Sequence, residues 1–106
     1  MSVRKAFIRN FVHGLHVIWP VLSAILAFVA ATGIVTGFVE GWGPWRGVYF
    51  AFVTALTIGY GDLVPTHPLT RGLALLAGLG GITMTALLAG VTVRAFHLSE
   101  TKAPKD

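Results

Sequence analysis

The chain has no cysteine, so neither a disulfide framework nor a thiolate metal site is open to it. It is also poor in charge. Asp, Glu, Lys and Arg make up 11% of its 106 residues, whereas a soluble domain carries about a quarter. Its four acidic residues are scattered. None is expected to pair with a histidine in a workable site, so no enzyme is expected. No span is rich in arginine, which excludes a voltage sensor of the usual kind. A chain this short without covalent staples gains little from its own core, and association with copies of itself is the usual remedy.

What the chain does have is apolar sequence, 55% of the total, gathered into two long runs. Val17 to Val39 carries no charge over 23 residues, and Gly72 to Val93 none over 22. As helix, the first run is ~35 Å long, enough to cross a ~30 Å hydrocarbon core with some tilt. Trp19 falls at its start, where amphipathic aromatics mark the interface, and Pro20 is expected in its first turn. Gly33 and Gly37 form a GxxxG pair that permits close approach of a neighbouring helix. The expected class is an all-α membrane protein with two transmembrane helices.

The rest of the chain is placed around these runs. Residues 1–16 read as an interfacial amphipathic helix, with Val3, Phe7, Phe11 and Leu15 four apart and Arg4, Lys5 and Arg9 off that stripe. Residues 17–39 are the outer span. Residues 40–71 form an intervening region, which opens on the turn cluster Gly41-Trp42-Gly43-Pro44. Within it 45–56 reads as a short aromatic helix, too short to span and so buried or re-entrant. Residues 63–68 are expected to be extended, because Pro65 and Pro68 disfavour helix. Residues 72–97 are the inner span, and 98–106 a frayed polar tail.

The net charge of +4 does not point to nucleic acid, because the basic residues flank apolar runs. Arg4, Lys5, Arg9 and Arg94 suit anionic lipid instead. Both outer flanks are basic, while the centre has only Arg46 and Arg71 against Glu40 and Asp62. The positive-inside rule then puts both termini in the cytoplasm and the centre towards the outer face. His13, His16 and His97 fall near the inner interface and are read as plain polar residues there. His67, with no acidic neighbour expected, is read as an exposed loop residue.

Residues 57–62, Thr57-Ile58-Gly59-Tyr60-Gly61-Asp62, lie between the short helix and the second span. A dehydrated cation needs oxygen ligands, and backbone carbonyls supply them without a full charge. Aiming successive carbonyls one way takes the backbone into regions ordinary residues avoid, which alternate glycines make accessible. Gly59 and Gly61 have that spacing, and Thr57 adds a hydroxyl oxygen. The negative end of the preceding helix dipole, near Leu56, favours a cation beyond it.

This hexapeptide resembles the filter signature of potassium channels, for which the TVGYG form is the known pattern. The similarity runs from about Trp45 to Val93 and points to a two-transmembrane-helix prokaryotic potassium channel. It implies a homotetramer of this chain with three identical partners, in a bacterial or archaeal cell membrane, with K+ as the permeant ion and no organic cofactor. It also implies that the carbonyls of Thr57, Ile58, Gly59 and Tyr60 form the K+ sites together with the Thr57 hydroxyl, and that Gly61 completes the filter. By the same resemblance Asp62, Tyr49, Phe50 and Val53 support the filter from behind, with Asp62 bonded to the Tyr49 hydroxyl and Tyr60 packed as a strut on the pore-helix aromatics. Gly80 and Gly81 are candidate hinge residues, and Ile82, Thr85, Ala89 and Val93 candidate cavity-lining residues. Val53 stands where some relatives have a glutamate, so a carboxylate pair with Asp62 cannot form. The alternatives are a less selective cation channel and a small membrane protein that associates without conducting.

None of the four cavity candidates is acidic, so nothing in the cavity would hold a polyamine. Currents recorded with internal spermine are expected to show no strong inward rectification.

Overall fold

The computed structural model describes residues 2–102, which form three helices with no strand among them. They are α1 (Val3–Glu40), α2 (Pro44–Ala55) and α3 (Pro68–Lys102). Helices α1 and α3 are each long and apolar enough to cross a membrane. The chain divides into two units, one of residues 23–84 and one of 1–22 with 85–106.

Several boundaries differ from expectation. Helix α1 runs without a break through positions 16 and 17, so residues 3–16 are no separate helix. Pro20 therefore lies inside α1, not in a first turn. There it removes one backbone donor, yet α1 continues through it to Glu40. Helix α2 starts at Pro44, whose fixed φ and missing N–H suit a first helical position. Pro68 plays the same part for α3, so the helix begins there and not at 72. The first backbone bond of α3 runs from Arg71 N to His67 O at 3.0 Å. At the other end α3 continues to Lys102, past the expected boundary at 97. The part of the expected tail at 103–106, including Lys105, lies outside the described residues.

In the unit of residues 23–84, α2 is packed by small residues. Its buried positions are Gly47, Ala51, Val53 and Ala55. Val29 of α1 joins Ala51 and Ala55 in the core, with Ile25 and Phe52 against it. The two glycines of the GxxxG pair face this helix. A Cβ on Gly33 would come within 2.8 Å of the Ala51 Cβ, and one on Gly37 would collide with the Gly43 carbonyl oxygen. A Cβ on Gly47 would in turn collide with the carbonyl oxygen of Gly33. The close approach that the motif permits is thus made by α2 of the same chain. Thr32 and Thr36 are buried on that face of α1. Each donates its hydroxyl to a carbonyl one turn back, Val29 O and Thr32 O, both at 2.7 Å, so no polar group is stranded.

In the unit of 1–22 with 85–106, the helices also meet at small residues. Ala6, Ala95 and Ser99 are buried. Phe7 stacks on Phe11 at 5.8 Å and meets Phe96 edge-on at 6.3 Å. Ser99 Oγ donates to Ala95 O at 2.6 Å and accepts from Asn10 Nδ2 at 3.2 Å. These contacts explain why the chain stays helical beyond residue 97.

Replacing Gly47 by alanine forces a Cβ onto backbone that cannot rotate away, so a loss of about 1–3 kcal/mol or more is expected. Gly72, where a Cβ meets nothing within 4 Å, is the comparator, and Gly72→Ala is expected to be neutral or slightly stabilising. Thermal unfolding of the purified protein in detergent reads both.

Candidate functional site

The loop between α2 and α3 carries the hexapeptide, and its geometry begins with the way α2 ends. Leu56 is the C-cap residue. Thr57 follows with φ of +61°, in the left-handed region that a β-branched residue rarely enters. Ile58 N donates to Val53 O at 2.9 Å and Thr57 N to Thr54 O at 3.0 Å. This 6→1 and 5→2 pair of bonds is a Schellman cap, with threonine at the position where glycine is usual. Gly59 N also reaches Val53 O, at 3.3 Å. The left-handed conformation then recurs at Gly59, φ +59°, and Gly61, φ +81°. Positions 57, 59 and 61 thus alternate with ordinary backbone at 58 and 60. Holding Thr57 this way costs roughly 1–3 kcal/mol, which persists only where the surroundings over-determine it.

Behind the stretch, Tyr49 Oη donates to Asp62 Oδ2 at 3.0 Å. That bond pushes the phenol up from its ordinary value, with burial and the negative charge of Asp62 adding to it. Val53 is buried beneath the cap, and Phe50 packs edge-on against Trp42 at 5.3 Å. Tyr60 is 68% exposed, so the aromatics of its own α2 do not cover it.

Glu40, the last residue of α1 and one position beyond the uncharged run, organises the far side of the loop. Its side chain is only 3% exposed. It accepts from Thr66 N and Thr66 Oγ1, both at 2.6 Å, from His67 N at 3.2 Å and from Thr70 Oγ1 at 2.7 Å. His67 Nδ1 lies 3.0 Å from Glu40 Oε1. This corrects the reading of His67 as a loop residue with no acidic neighbour. Burial pushes the Glu40 carboxyl up, but the bonds from Thr66, Thr70 and His67 outweigh it and hold the carboxyl well below the usual carboxylate range. A carboxylate at the start of α3 also faces the positive end of that helix dipole. Nothing in the sequence singled out Glu40, although it is the sole charge between Arg9 and Arg46. That isolation, at the mouth of a span, was the available signal.

The remaining candidates lie on α3. The helix is unbroken at Gly80 and Gly81. A Cβ on Gly81 would collide with the Ala55 carbonyl oxygen, while one on Gly80 would make ordinary contact with Val29 at 3.4 Å. Close packing alone therefore accounts for a glycine at 81. Ile82, Thr85, Ala89 and Val93 are all exposed in the single chain.

Comparison with known proteins gives a consistent picture. A family model described as "Ion channel" matches residues 18–97. Among curated proteins, "Two-pore potassium channel 1" of Arabidopsis thaliana is 35% identical over 71 residues, covering 56% of this chain and 20% of that protein. "Potassium channel subfamily K member 17" of Homo sapiens is 42% identical over 43 residues, covering 41% of this chain and 13% of that protein. The chain thus spans a fifth or less of these relatives' lengths. No solved structure matches it.

The Glu40 carboxyl is expected to stabilise the fold fully above the carboxylate range of an unfolded chain, about pH 4.3. Its folded value is depressed, so that contribution falls away only as pH drops below that range. Glu40→Gln should therefore lower the melting temperature at pH 7, and the gap to the parent should shrink below about pH 4. Melting curves from pH 7 to 3 measure this.

Proposed function

The chain belongs to this ion channel family, whose model spans residues 18–97, and from that premise we propose that it forms a potassium-selective pore conducting K+ passively as a homotetramer. Membership in a channel family, with two helices able to cross a bilayer, makes it an integral membrane protein and not an enzyme. K+ enters as the transported ion. The observation that carries the potassium reading is the alternate left-handed backbone at Thr57, Gly59 and Gly61 within TIGYGD.

In this reading α2 is a re-entrant pore helix. The carbonyls of Thr57, Ile58, Gly59 and Tyr60 and the Thr57 hydroxyl replace the hydration shell of K+. Irregular backbone at membrane depth is tolerated because it lines the ion path and is covered by neighbouring copies. Tyr60 and Trp45, 68% and 85% exposed in one chain, would be packed by those copies. Asp62 and Tyr49 hold the stretch from behind, and Glu40 holds its exit. Ile82, Thr85, Ala89 and Val93 would face the cavity, and movement of α3 at Gly80 and Gly81 would accompany gating. Both termini lie in the cytoplasm of a prokaryotic cell, where Arg4, Lys5, Arg9 and Arg94 meet anionic lipid. The interaction-protein alternative loses its main support, because Gly33 and Gly37 are occupied by α2 of the same chain.

Liposome flux tests the proposal. K+ flux that barium blocks, with little Na+ flux, is expected. Equal flux in Na+ would indicate a less selective cation channel, and no flux a non-conducting protein. Gly59→Ala adds a Cβ that meets nothing in its own chain but strains the left-handed backbone by about 1–2 kcal/mol in each subunit. It is expected to abolish selective K+ flux while the protein still assembles.

A further inference from the structure

The start of α1 and the end of α3 are tied at three points. The Phe7 ring meets Phe96 edge-on at 6.3 Å. Asn10 Nδ2 donates to Ser99 Oγ at 3.2 Å, and Ser99 is fully buried. Gly14 lies so close to Val91 that a Cβ there would come within 2.7 Å of Val91 Cγ1. The ties run over residues 7–14 of α1 and 91–99 of α3, roughly 10 Å of each helix. Ties at different heights resist tilting as well as sliding, so the two segments are held as a pair.

Further along, each helix is held by something else. In α1, Val29 packs with Ala51 and Ala55 of α2, and Gly33 and Gly37 lie against the same helix. In α3, Gly81 lies against the Ala55 carbonyl, where no Cβ fits. Between its two holds α1 carries Pro20. Proline has no N–H for the carbonyl of His16, and its ring crowds that turn. Helices bend where a rung of the ladder is missing in this way. Pro20 is exposed, so bending there opens no buried contact. The division of the chain into two units falls in the same intervals, after residue 22 in α1 and after residue 84 in α3.

The ties restrict how α3 can move. If α3 bends between Gly81 and Val91, its end carries Phe96 and Ser99 with it. The start of α1 must then give up those contacts or follow. Giving them up loses a buried hydrogen bond and an aromatic contact. Following needs only a bend where one rung is already absent. We propose that residues 3–19 of α1 swing together with the end of α3 as one clasped arm, with Pro20 as the flexion point. The outer helix is then a moving part of the gate and not a fixed wall around it. The link to gating rests on the channel reading, whereas the coupled bending does not.

Amide hydrogen exchange of the full chain in neutral detergent tests the coupling without any current. Pro20→Ala restores the missing rung and is expected to slow exchange at residues 17–24 about fivefold, the weight of one backbone hydrogen bond. Residues 82–88 of α3, which the substitution does not touch, are expected to slow at least about twofold. With Asn10→Ala and Phe96→Ala also present, the effect on α3 is expected to vanish while that on α1 stays. Ser99→Ala removes one tie with little change of shape, and is expected to reduce the effect on α3 if the double variant does not fold. Slowing confined to α1 when all ties are intact would overturn the clasped arm. So would an effect on α3 that survives loss of the ties. In single-channel recordings Pro20→Ala is expected to slow opening and closing about fivefold by the same stiffening. Unchanged rates would overturn the link to gating. A parent protein that carries no current would sink the channel reading and leave the exchange result standing.

Discussion

The stretch from Thr57 to Gly61 forms no regular structure, and three of its residues are left-handed. It therefore cannot be held by its own hydrogen bonds, and the rest of the chain must hold it. Three holds are visible, each from a different place. The C-terminal turn of α2 accepts the N–H groups of Thr57, Ile58 and Gly59. Tyr49, two turns back on the same helix, takes Asp62. Glu40, at the end of α1, takes the backbone of Thr66 and His67 just before α3 begins. A charged acceptor makes stronger hydrogen bonds than a neutral one, so the two holds that rest on a carboxylate, at Asp62 and at Glu40, are of the stronger kind.

These holds are useful only if α2 itself is fixed. The seam that fixes it is made of residues with little or no side chain: Gly33 and Gly37 on α1, Gly47, Ala51 and Ala55 on α2, and Gly81 on α3. In water such a seam would bury little apolar area. In a bilayer, lipid tails are as apolar as leucine, so burial of large side chains brings helices together only weakly. Close backbone approach gains dispersion contacts instead. The large apolar side chains accordingly point outward, with Phe38 67% and Leu75 72% exposed.

Much of this was legible in the sequence. Two uncharged runs, a short aromatic helix and a glycine-alternating hexapeptide are local patterns, and each maps onto an element of the structure. The misses share a physical cause, which is that they depend on partners distant in the chain. Glu40 meets residues 26 to 30 positions away, and no local pattern announces that. The GxxxG pair was readable as a contact surface, but nothing in it says that the partner is Gly47 and not another molecule. Pro68 was read as a helix breaker because the rule against proline applies to helix interiors; at a first position the same ring is favourable. Residues 98–102 looked frayed because their support, from Asn10 to Ser99, spans 89 positions.

Thr57 shows how backbone and chemistry compete at this site. A helix ending in a Schellman cap favours glycine at that position, since glycine enters the left-handed region without a Cβ penalty. Glycine there would relax the cap and remove the only aliphatic hydroxyl between 57 and 62. Under the pore reading that hydroxyl is one of the ion's oxygen ligands, so the strain is the cost of keeping a side-chain oxygen in the file. The cap has to be firm for the same reason. With Val53 buried and its carbonyl taking both Ile58 and Gly59, α2 cannot release Thr57 to an easier conformation without losing hydrogen bonds at its own end. The residue with the least suitable side chain for its backbone is thus locked by the helix it terminates.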